Sequence, residues 1–356
     1  MLRPPVEENV SLAPFTTIGI GGPARFFVRA TTSDEVRAAV EWAREEGRPL
    51  FVLGGGSNLL VADSGFDGLV MHVNLRGITV ESEDSWATVK VAGGEPWDPF
   101  VEIAVDHGWA GVECLSGIPG STGATPIQNV GAYGQDVSET IARVEALDRT
   151  SGLVRSFTKE ECRFGYRASL FKNHEKDRYV VLSVTFRLER GGSAKVRYPE
   201  LQKYLEERGE SREDLFAVRE AVIAIRKRKG MVLDPADADT RSDGSFFMNP
   251  VLSPEEFAAF TGRAAGGVGD GSRIPSFPSS DGKEIKLSAA WLIEHSGFTK
   301  GFTMGNVGLS TKHTLAVVNR GGGTASEVVQ LVNSIQNGVR DAFGVEIHPE
   351  PNFIGF

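Results

Sequence analysis

Residues 117–134 read GIPGSTGATPIQNVGAYG, with five glycines, two prolines and several small hydroxyl residues in eighteen positions. A hairpin needs far less. Such a run either forms an elaborate turn or lays its backbone along an extended ligand, with N–H groups toward phosphates and Gln128 or Asn129 toward a heterocycle. An earlier stretch, GGGSN at 54–58, has the same character, because three consecutive glycines after a strand let amides converge on an anion without Cβ obstruction. A glycine-rich turn with no ligand reads the same way. Neither GxGxxG after a strand nor GxxxxGK[ST] occurs, so the ordinary dinucleotide fold and the P-loop lack support. In all, 42 of 356 residues are glycine, well above the usual ~7%, and they fall in short clusters between periodic segments.

Around these loops the pattern is mixed. Residues 24–30 (ARFFVRA) predict a strand, followed by a helix capped by Ser33 that places Val36, Ala39, Val40 and Ala43 on one face and stops at Gly47. Strands at 49–53 and 69–73 complete a small α/β unit. Strand patterns ITVES, ATVKVAG, RVEALDR and YVVLSVTFRLE then alternate with helices near 97–107 and 199–208. A long helix over 214–229, apolar at Leu215, Val218, Val222 and Ile225, leads into VLDPADADTRSDG, a boundary or an active-site loop. Beyond it, helices are expected at 254–260, at 287–296 and from Thr324, where Thr324 and Glu327 match a capping box. Residues 262–281 carry too much Gly, Ser and Pro for regular structure and read as a mobile lid or a plain surface loop. The expectation is an α+β chain of three parts, 1–77, 78–230 and 231–348, with the tail 349–356 packing near the active site.

Composition narrows the class. With 40% apolar and 24% charged residues the chain is globular, and a net charge of −9 argues against binding a nucleic-acid backbone. Cys114 and Cys162 are too few and too far apart for a disulfide framework or a cysteine metal cluster, which fits a reducing cytoplasm. No basic-then-apolar leader is present at the start, and no apolar run approaches the ~20 residues that span a bilayer. His72, His107, His174, His295, His313 and His348 lack metal-ligand spacing, so no metal is expected. The chain is expected to act in the cytoplasm as a monomer, without membrane or nucleic-acid partners.

Two further segments hold candidate chemistry. In GSFFMNP (244–250), Ser245 is either a turn residue or a proton donor, since no GxSxG elbow accompanies it. In HPEPNFIGF (348–356), Pro349 and Pro351 bracket Glu350, holding it for proton transfer or leaving it solvated. Arg167, in GYR at 165–167, and the run Arg226, Lys227, Arg228, Lys229 supply cations that suit a solvated helix end or a small anionic ligand.

Taken in order, TTIGIGGPA, GGGSN, GIPGSTGATPIQNVGAYG, GYRxSxFK, GSFFMNP and PEPNFIG resemble the bacterial UDP-N-acetylenolpyruvoylglucosamine reductases (UDP-N-acetylmuramate dehydrogenases) of peptidoglycan synthesis, in the form with a long third-domain loop. The resemblance covers nearly the whole chain. It implies a three-domain FAD-binding fold of the vanillyl-alcohol oxidase type, with two flavin subdomains (1–77 and 78–230) and a substrate-covering third domain (231–348). It also implies non-covalent FAD, NADPH as reductant, and a UDP-sugar enolpyruvyl ether reduced to UDP-N-acetylmuramate, with hydride from flavin N5. Such chemistry belongs to cell-wall biogenesis and hence to cell shape and division.

Carried over by motif, Ser245 would protonate the carbon beside the substrate carboxylate, and Glu350 and Arg167 would stabilise the developing enolate. Tyr198, Lys229, Asn249 and Lys300 would hold the substrate carboxylate and diphosphate. FAD would be held by Gly54, Gly55, Gly56, Ser57, Asn58 and Leu59, by Ile118, Pro119, Gly120, Ser121, Gly123, Ala124, Asn129, Gly131, Ala132 and Tyr133, and by Arg226. Many relatives place a tyrosine and a glutamine over the diphosphate where Phe277 and His313 stand here; His313 can donate a hydrogen bond and Phe277 cannot. Alternatives are an FAD-dependent oxidase or dehydrogenase of the same fold acting on another hydroxy substrate, and a nucleotide-sugar binding protein without redox chemistry. Covalent flavin attachment would require a histidine or cysteine near the flavin; Cys114, just ahead of the second loop, leaves that open.

Overall fold

The computed structural model describes residues 4–267, 274–278 and 282–356. The chain divides into two compact units. The first comprises the chain up to Val10, Ala24–Gly56 and Phe66–Arg228; the second comprises Ser11–Pro23, Ser57–Gly65 and Lys229–Phe356. Residues 11–23 and 57–65 therefore group with the C-terminal part.

In the first unit, helix α1 (Ser33–Glu45) buries Val36, Ala38, Ala39, Val40 and Ala43 against a sheet of Glu7–Ser11, Pro23–Ala30, Phe66–Val73 and Leu50–Leu53. The last three strands run parallel. The cap is Thr32, one residue earlier than expected, because Thr32 and Glu35 close a reciprocal capping box that Ser33 cannot form. The second sheet is antiparallel, in the order Val154–Thr158, Ile141–Asp148, Tyr179–Arg190, Trp86–Ala92, Ile78–Glu83. Helix α2 (Trp97–Asp106) packs on it through Trp97 and Phe100, whose rings lie 5.8 and 5.0 Å from that of Phe186. The strand Tyr179–Arg190 is buried on both faces: Val180 and Leu182 join the core of the parallel sheet, Val181, Val184 and Phe186 that of the antiparallel one. That double burial explains its unbroken apolar run. Helices α3 (Pro199–Arg208) and α4 (Leu215–Arg228) share a further core of Leu201, Leu205, Val218, Val222 and Ile225.

In the second unit, the sheet Ser242–Ser245, Ala316–Asn319, Val307–Leu309, Thr303–Met304 carries α5 (Pro254–Gly267), α6 (Ala289–His295) and α7 (Ala325–Phe343). A core of Phe246, Phe260, Leu292, Leu331 and Ile335 fills the space between them. Helix α7 has the expected capping box at Thr324 and Glu327, and the Asp63 carboxylate also accepts the Ala325 and Ser326 amides. A separate parallel pair joins Leu59–Val61 to Asn352–Ile354. The expectation of irregular structure over 262–281 is corrected at both ends. Residues 262–267 continue α5, whose alanines sustain the helix past Phe260, and Ser276–Pro278 pairs with Ile285–Leu287. The remainder of that stretch, 268–273 and 279–281, lies outside the described residues. No helix among the described residues is long and apolar enough to cross a membrane.

One ion pair fastens the long glycine-rich loop to this frame. Asp98, in the first turn of α2, accepts the Gly117 amide at 2.6 Å and pairs with the Arg219 guanidinium of α4 at 2.7 Å; the Arg219 side chain is 8% exposed. Asp98→Ala removes the acceptor of the Gly117 amide and leaves the buried Arg219 only the longer pair with Glu102 at 3.7 Å, and is expected to cost about 3 kcal/mol in urea unfolding. Arg155→Ala, which breaks the exposed pair with Glu161, should cost under about 1 kcal/mol in the same measurement.

Candidate functional site

The two glycine-rich loops meet backbone to backbone in the first unit. A Cβ built on Gly55 would lie 2.5 Å from Gly120 Cα, and one on Gly54 would lie 2.6 Å from Ser121 Oγ. No side chain fits at Gly55. The second loop is pinned from the other side, where the amides of Thr122 and Gly123 donate to the Glu95 and Gly93 carbonyls, both at 2.8 Å, and the Trp97 amide donates to the Gly120 carbonyl at 3.0 Å. Ser121 starts a short 3-10 turn, Thr122–Ala124, and the buried Thr122 hydroxyl oxygen has no protein partner. A close-walled cradle of peptide groups with such a polar atom in it fits a bound phosphate-bearing cofactor.

Asn129 departs from its expected side-chain role. It is 4% exposed; its amide donates to the Gly165 carbonyl at 3.0 Å and accepts from the Ser138 amide at 3.2 Å, so it fastens the loop and does not point its side chain at a ligand. Its φ of +47°, like the +50° of Tyr133, turns the chain sharply on either side of the short strand Gly131–Ala132, which pairs with Gln135–Asp136. Arg167 caps this turn, its guanidinium donating to the Gly131 carbonyl at 2.7 Å and the Asn129 carbonyl at 3.4 Å. The Tyr133 ring stands edge-on to Tyr198 at 5.5 Å, which brings a candidate cofactor residue and a candidate substrate residue together. Burial raises the Tyr133 and Tyr198 phenols and lowers Arg226, whose Nε is shut away from solvent and which interacts electrostatically with Tyr133. Cys114 is buried, and burial together with Glu113 raises its thiol well above the usual range, so it is a poor nucleophile for attaching a flavin. Ile118, Pro119, Gly120 and Ala124 remain partly exposed along the same loop.

In the second unit the backbone joins the segment that follows Ser245 to the segment that carries Glu350. The Glu350 amide donates to the Phe246 carbonyl at 2.8 Å, Met248 donates to His348 at 3.0 Å, and Phe247 bridges Pro349. Asn58 Nδ2 donates to the Glu350 carbonyl at 3.4 Å, and the Asn352 amide donates to the Asn58 carbonyl at 3.0 Å, so Ser57, Asn58 and Leu59 follow the segment that carries Glu350. Phe246 and Phe247, at 0 and 1% exposure, bury the strand while Ser245 stays partly exposed. Asn249 Oδ1 accepts the Ala289 amide at 2.9 Å, an N-terminal anchor for α6 absent from the expectation. Lys229 precedes Gly230, which packs on Asp239; Lys312 pairs with Asp237, and the Thr311 amide donates to Asp239 at 3.1 Å, fixing the turn that carries His313. Lys300 is exposed at a turn, and Phe277 is 52% exposed on its short strand. Asp98, Thr17 and Asp243 were not singled out from sequence; only the position of Thr17 in TTIGIGGPA and of Asp243 beside Ser245 hinted at them.

Comparison with known proteins agrees with this geometry. The FAD binding domain family matches residues 24–158, which hold the cradle, and this defines a flavoprotein of mixed helix and sheet. The family described as UDP-N-acetylenolpyruvoylglucosamine reductase, C-terminal domain, matches residues 234–354. The UDP-N-acetylenolpyruvoylglucosamine reductase of Thermobifida fusca is 50% identical, covering 98% of both chains, and that of Streptomyces coelicolor is 50% identical over 99% of this chain and 91% of its own. A solved UDP-N-acetylenolpyruvylglucosamine reductase from Thermus caldophilus superposes with a TM-score of 0.65 at 25% identity, covering 99% of this chain and all of that one. The chain belongs to the UDP-N-acetylenolpyruvoylglucosamine reductase family and is an FAD-containing oxidoreductase.

Gly55→Ala must push apart two backbones, because the nearest atoms its Cβ would meet are main-chain atoms of Gly120 and Ser121. We expect FAD affinity to fall at least ~10-fold, read by flavin fluorescence titration of the apoprotein, the equivalent of roughly 1.4 kcal/mol.

Proposed function

We propose that this chain reduces UDP-N-acetylglucosamine enolpyruvate to UDP-N-acetylmuramate at the expense of NADPH, in peptidoglycan precursor synthesis. The observation that carries the reading is that a chain 50% identical to named reductases along its length holds a glycine cradle in one unit and, in the other, main-chain bonds that join the segments of Ser245 and Glu350. FAD, held by the residues named below, would supply the hydride for the enolpyruvyl double bond, with NADPH as the source of its electrons. The residues of the chain do the rest.

Ser245 Oγ delivers a proton to the carbon beside the substrate carboxylate, and the buried Phe246 and Phe247 fix the backbone from which it works. Negative charge grows on that carboxylate as the neighbouring carbon accepts hydride. Arg167 and Glu350 meet this charge, Arg167 as a cation and Glu350 as a donor in its protonated form. Lys229, Lys300, His313, Asn249 and Tyr198 bind carboxylate and diphosphate in the ground state. Residues 54–59 hold the FAD pyrophosphate, and 118–133 with Arg226 hold its ring system. The domain roles follow as 1–77 and 78–230 for FAD and 231–348 for substrate, with 349–356 returning Glu350 to the active site. The same reading has the chain acting as a monomer in the cytoplasm, without nucleic acid or membrane.

Ser245→Ala should leave NADPH-driven flavin bleaching intact and slow reoxidation by the enolpyruvyl substrate about 10²- to 10⁴-fold in anaerobic stopped flow. Equal losses in both half-reactions would remove Ser245 from the proton step. Lys229→Ala should raise the substrate KM with little change in kcat, as befits a contact made before the transition state. Steady-state kinetics at varied substrate decide that split.

A further inference from the structure

Asp243 sits two residues before Ser245 and is 6% exposed. Between Ser242 and Ser245 the strand slips register against Ala316–Asn319, and Gly244 adopts a φ of +72°. This bulge turns Asp243 into the protein. There it meets two other segments of the same unit. Thr17, from TTIGIGGPA, lies against the carboxyl, and the Leu59 amide, from the stretch that follows GGGSN, donates to it. The other oxygen, Oδ2, is buried with no hydrogen-bond partner.

Counting hydrogens shows how the carboxyl is protonated. Thr17 Oγ1 lies 2.7 Å from the Ser242 carbonyl and 3.1 Å from Asp243 Oδ1, but a hydroxyl has one hydrogen. The nearer carbonyl can only accept, so it takes that hydrogen. The contact between Thr17 and Asp243 is then satisfied by a proton on the carboxyl. A neutral acid also tolerates an unbonded buried oxygen that a carboxylate would not. The segments packed against the group hold few charges. Residues 11–23 and the strand Ala316–Asn319 have no titratable side chain; Asp63 on 57–65 is engaged by the α7 amides; Arg241 is exposed, and Glu350 lies on the segment crossing Phe246. None contributes a charge interaction to Asp243, and burial pushes its carboxyl up to about 8.

We propose that Asp243 is a positioning residue held as the neutral acid, clamping Thr17 and the 57–59 segment to the bulged strand and thereby setting Ser245 for proton delivery. The inference rests on the reading of Ser245 as proton donor. Its thermodynamic sign is defined. The folded chain keeps a proton that the unfolded chain loses near the ordinary value of 3.8, so stability falls as pH rises from about 4 to about 8 and levels off above.

The test uses the FAD-loaded enzyme and two variants, Asp243→Asn and Asp243→Ala, with melting temperature and half-reactions recorded from pH 6 to 9.5. For the native enzyme, substrate-driven flavin reoxidation should slow through an ionisation near pH 8. Asn, always neutral, should hold the pH 7 rate within about 3-fold, remove that alkaline limb and flatten the fall in melting temperature. Ala should slow reoxidation about 10- to 100-fold at every pH while sparing reduction by NADPH. The proposal is overturned if Asn is as slow as Ala at pH 7, if Asn keeps the alkaline limb, or if Ala matches the native enzyme. If substrate fails to reoxidise even the native enzyme, the functional reading falls instead; the melting curves of native and Asn variants still report whether Asp243 carries a proton.

Discussion

A peptide chain approaches another to within a bond or two of contact only where neither carries a Cβ, and that exclusion governs the first unit of this protein. Gly54 and Gly55 lie against Gly120 and Ser121, and Gly123 lies against Gly93, so the contact is made chiefly of main chain. The surrounding architecture serves this contact. The parallel sheet brings up the first loop, the α2 and α4 ion pair fixes the start of the second, and Arg167 and Asn129 fasten its far end with four hydrogen bonds to and from the main chain. A cofactor wall made of backbone has few side chains to tune, so its specificity lies in shape and in amide direction.

The second unit solves a different problem. The groups proposed to react there are ordinary side chains, each held at a set height above a packed sheet. Ser245 rides on a strand whose next two residues, Phe246 and Phe247, are sunk in the core, while Glu350 is tied to that strand through main-chain bonds and bracketed by two prolines. Precision here comes from rigid backbone beneath the side chains, in keeping with a reaction whose proton must arrive at one particular carbon.

Much of this was legible in the sequence where local rules dominate. The Thr324 box, the apolar face of α4 and the strand at 179–190 are set by neighbours a few residues away, and each formed within a residue or two of its expected place. What could not be read were partners distant in sequence: Asp98 under the glycine loop, Asp63 on α7, Thr17 against Asp243, and the assignment of 11–23 and 57–65 to the C-terminal unit. Composition misled at 262–267, where glycine and alanine together continue a helix. The side chain of Asn129 was misjudged for a related reason, since a polar residue in a glycine-rich loop serves the loop itself as readily as a ligand.

The parallel pairing of Leu59–Val61 with Asn352–Ile354 has a further consequence for how the protein is made. Asn58 and Asn352 touch although 294 positions separate them. During synthesis the parallel sheet and its helix α1 are complete early, yet the strand Leu59–Val61 lacks its β-partner until translation reaches residues 352–354. For most of the ribosome's transit, that stretch is an unpaired strand edge flanked by glycines, which resist premature β-pairing. Folding of the catalytic unit is thus a late event of high contact order, and a ribosome that stalls before residue 352 releases a chain with its first sheet formed and its proton-transfer segment unassembled.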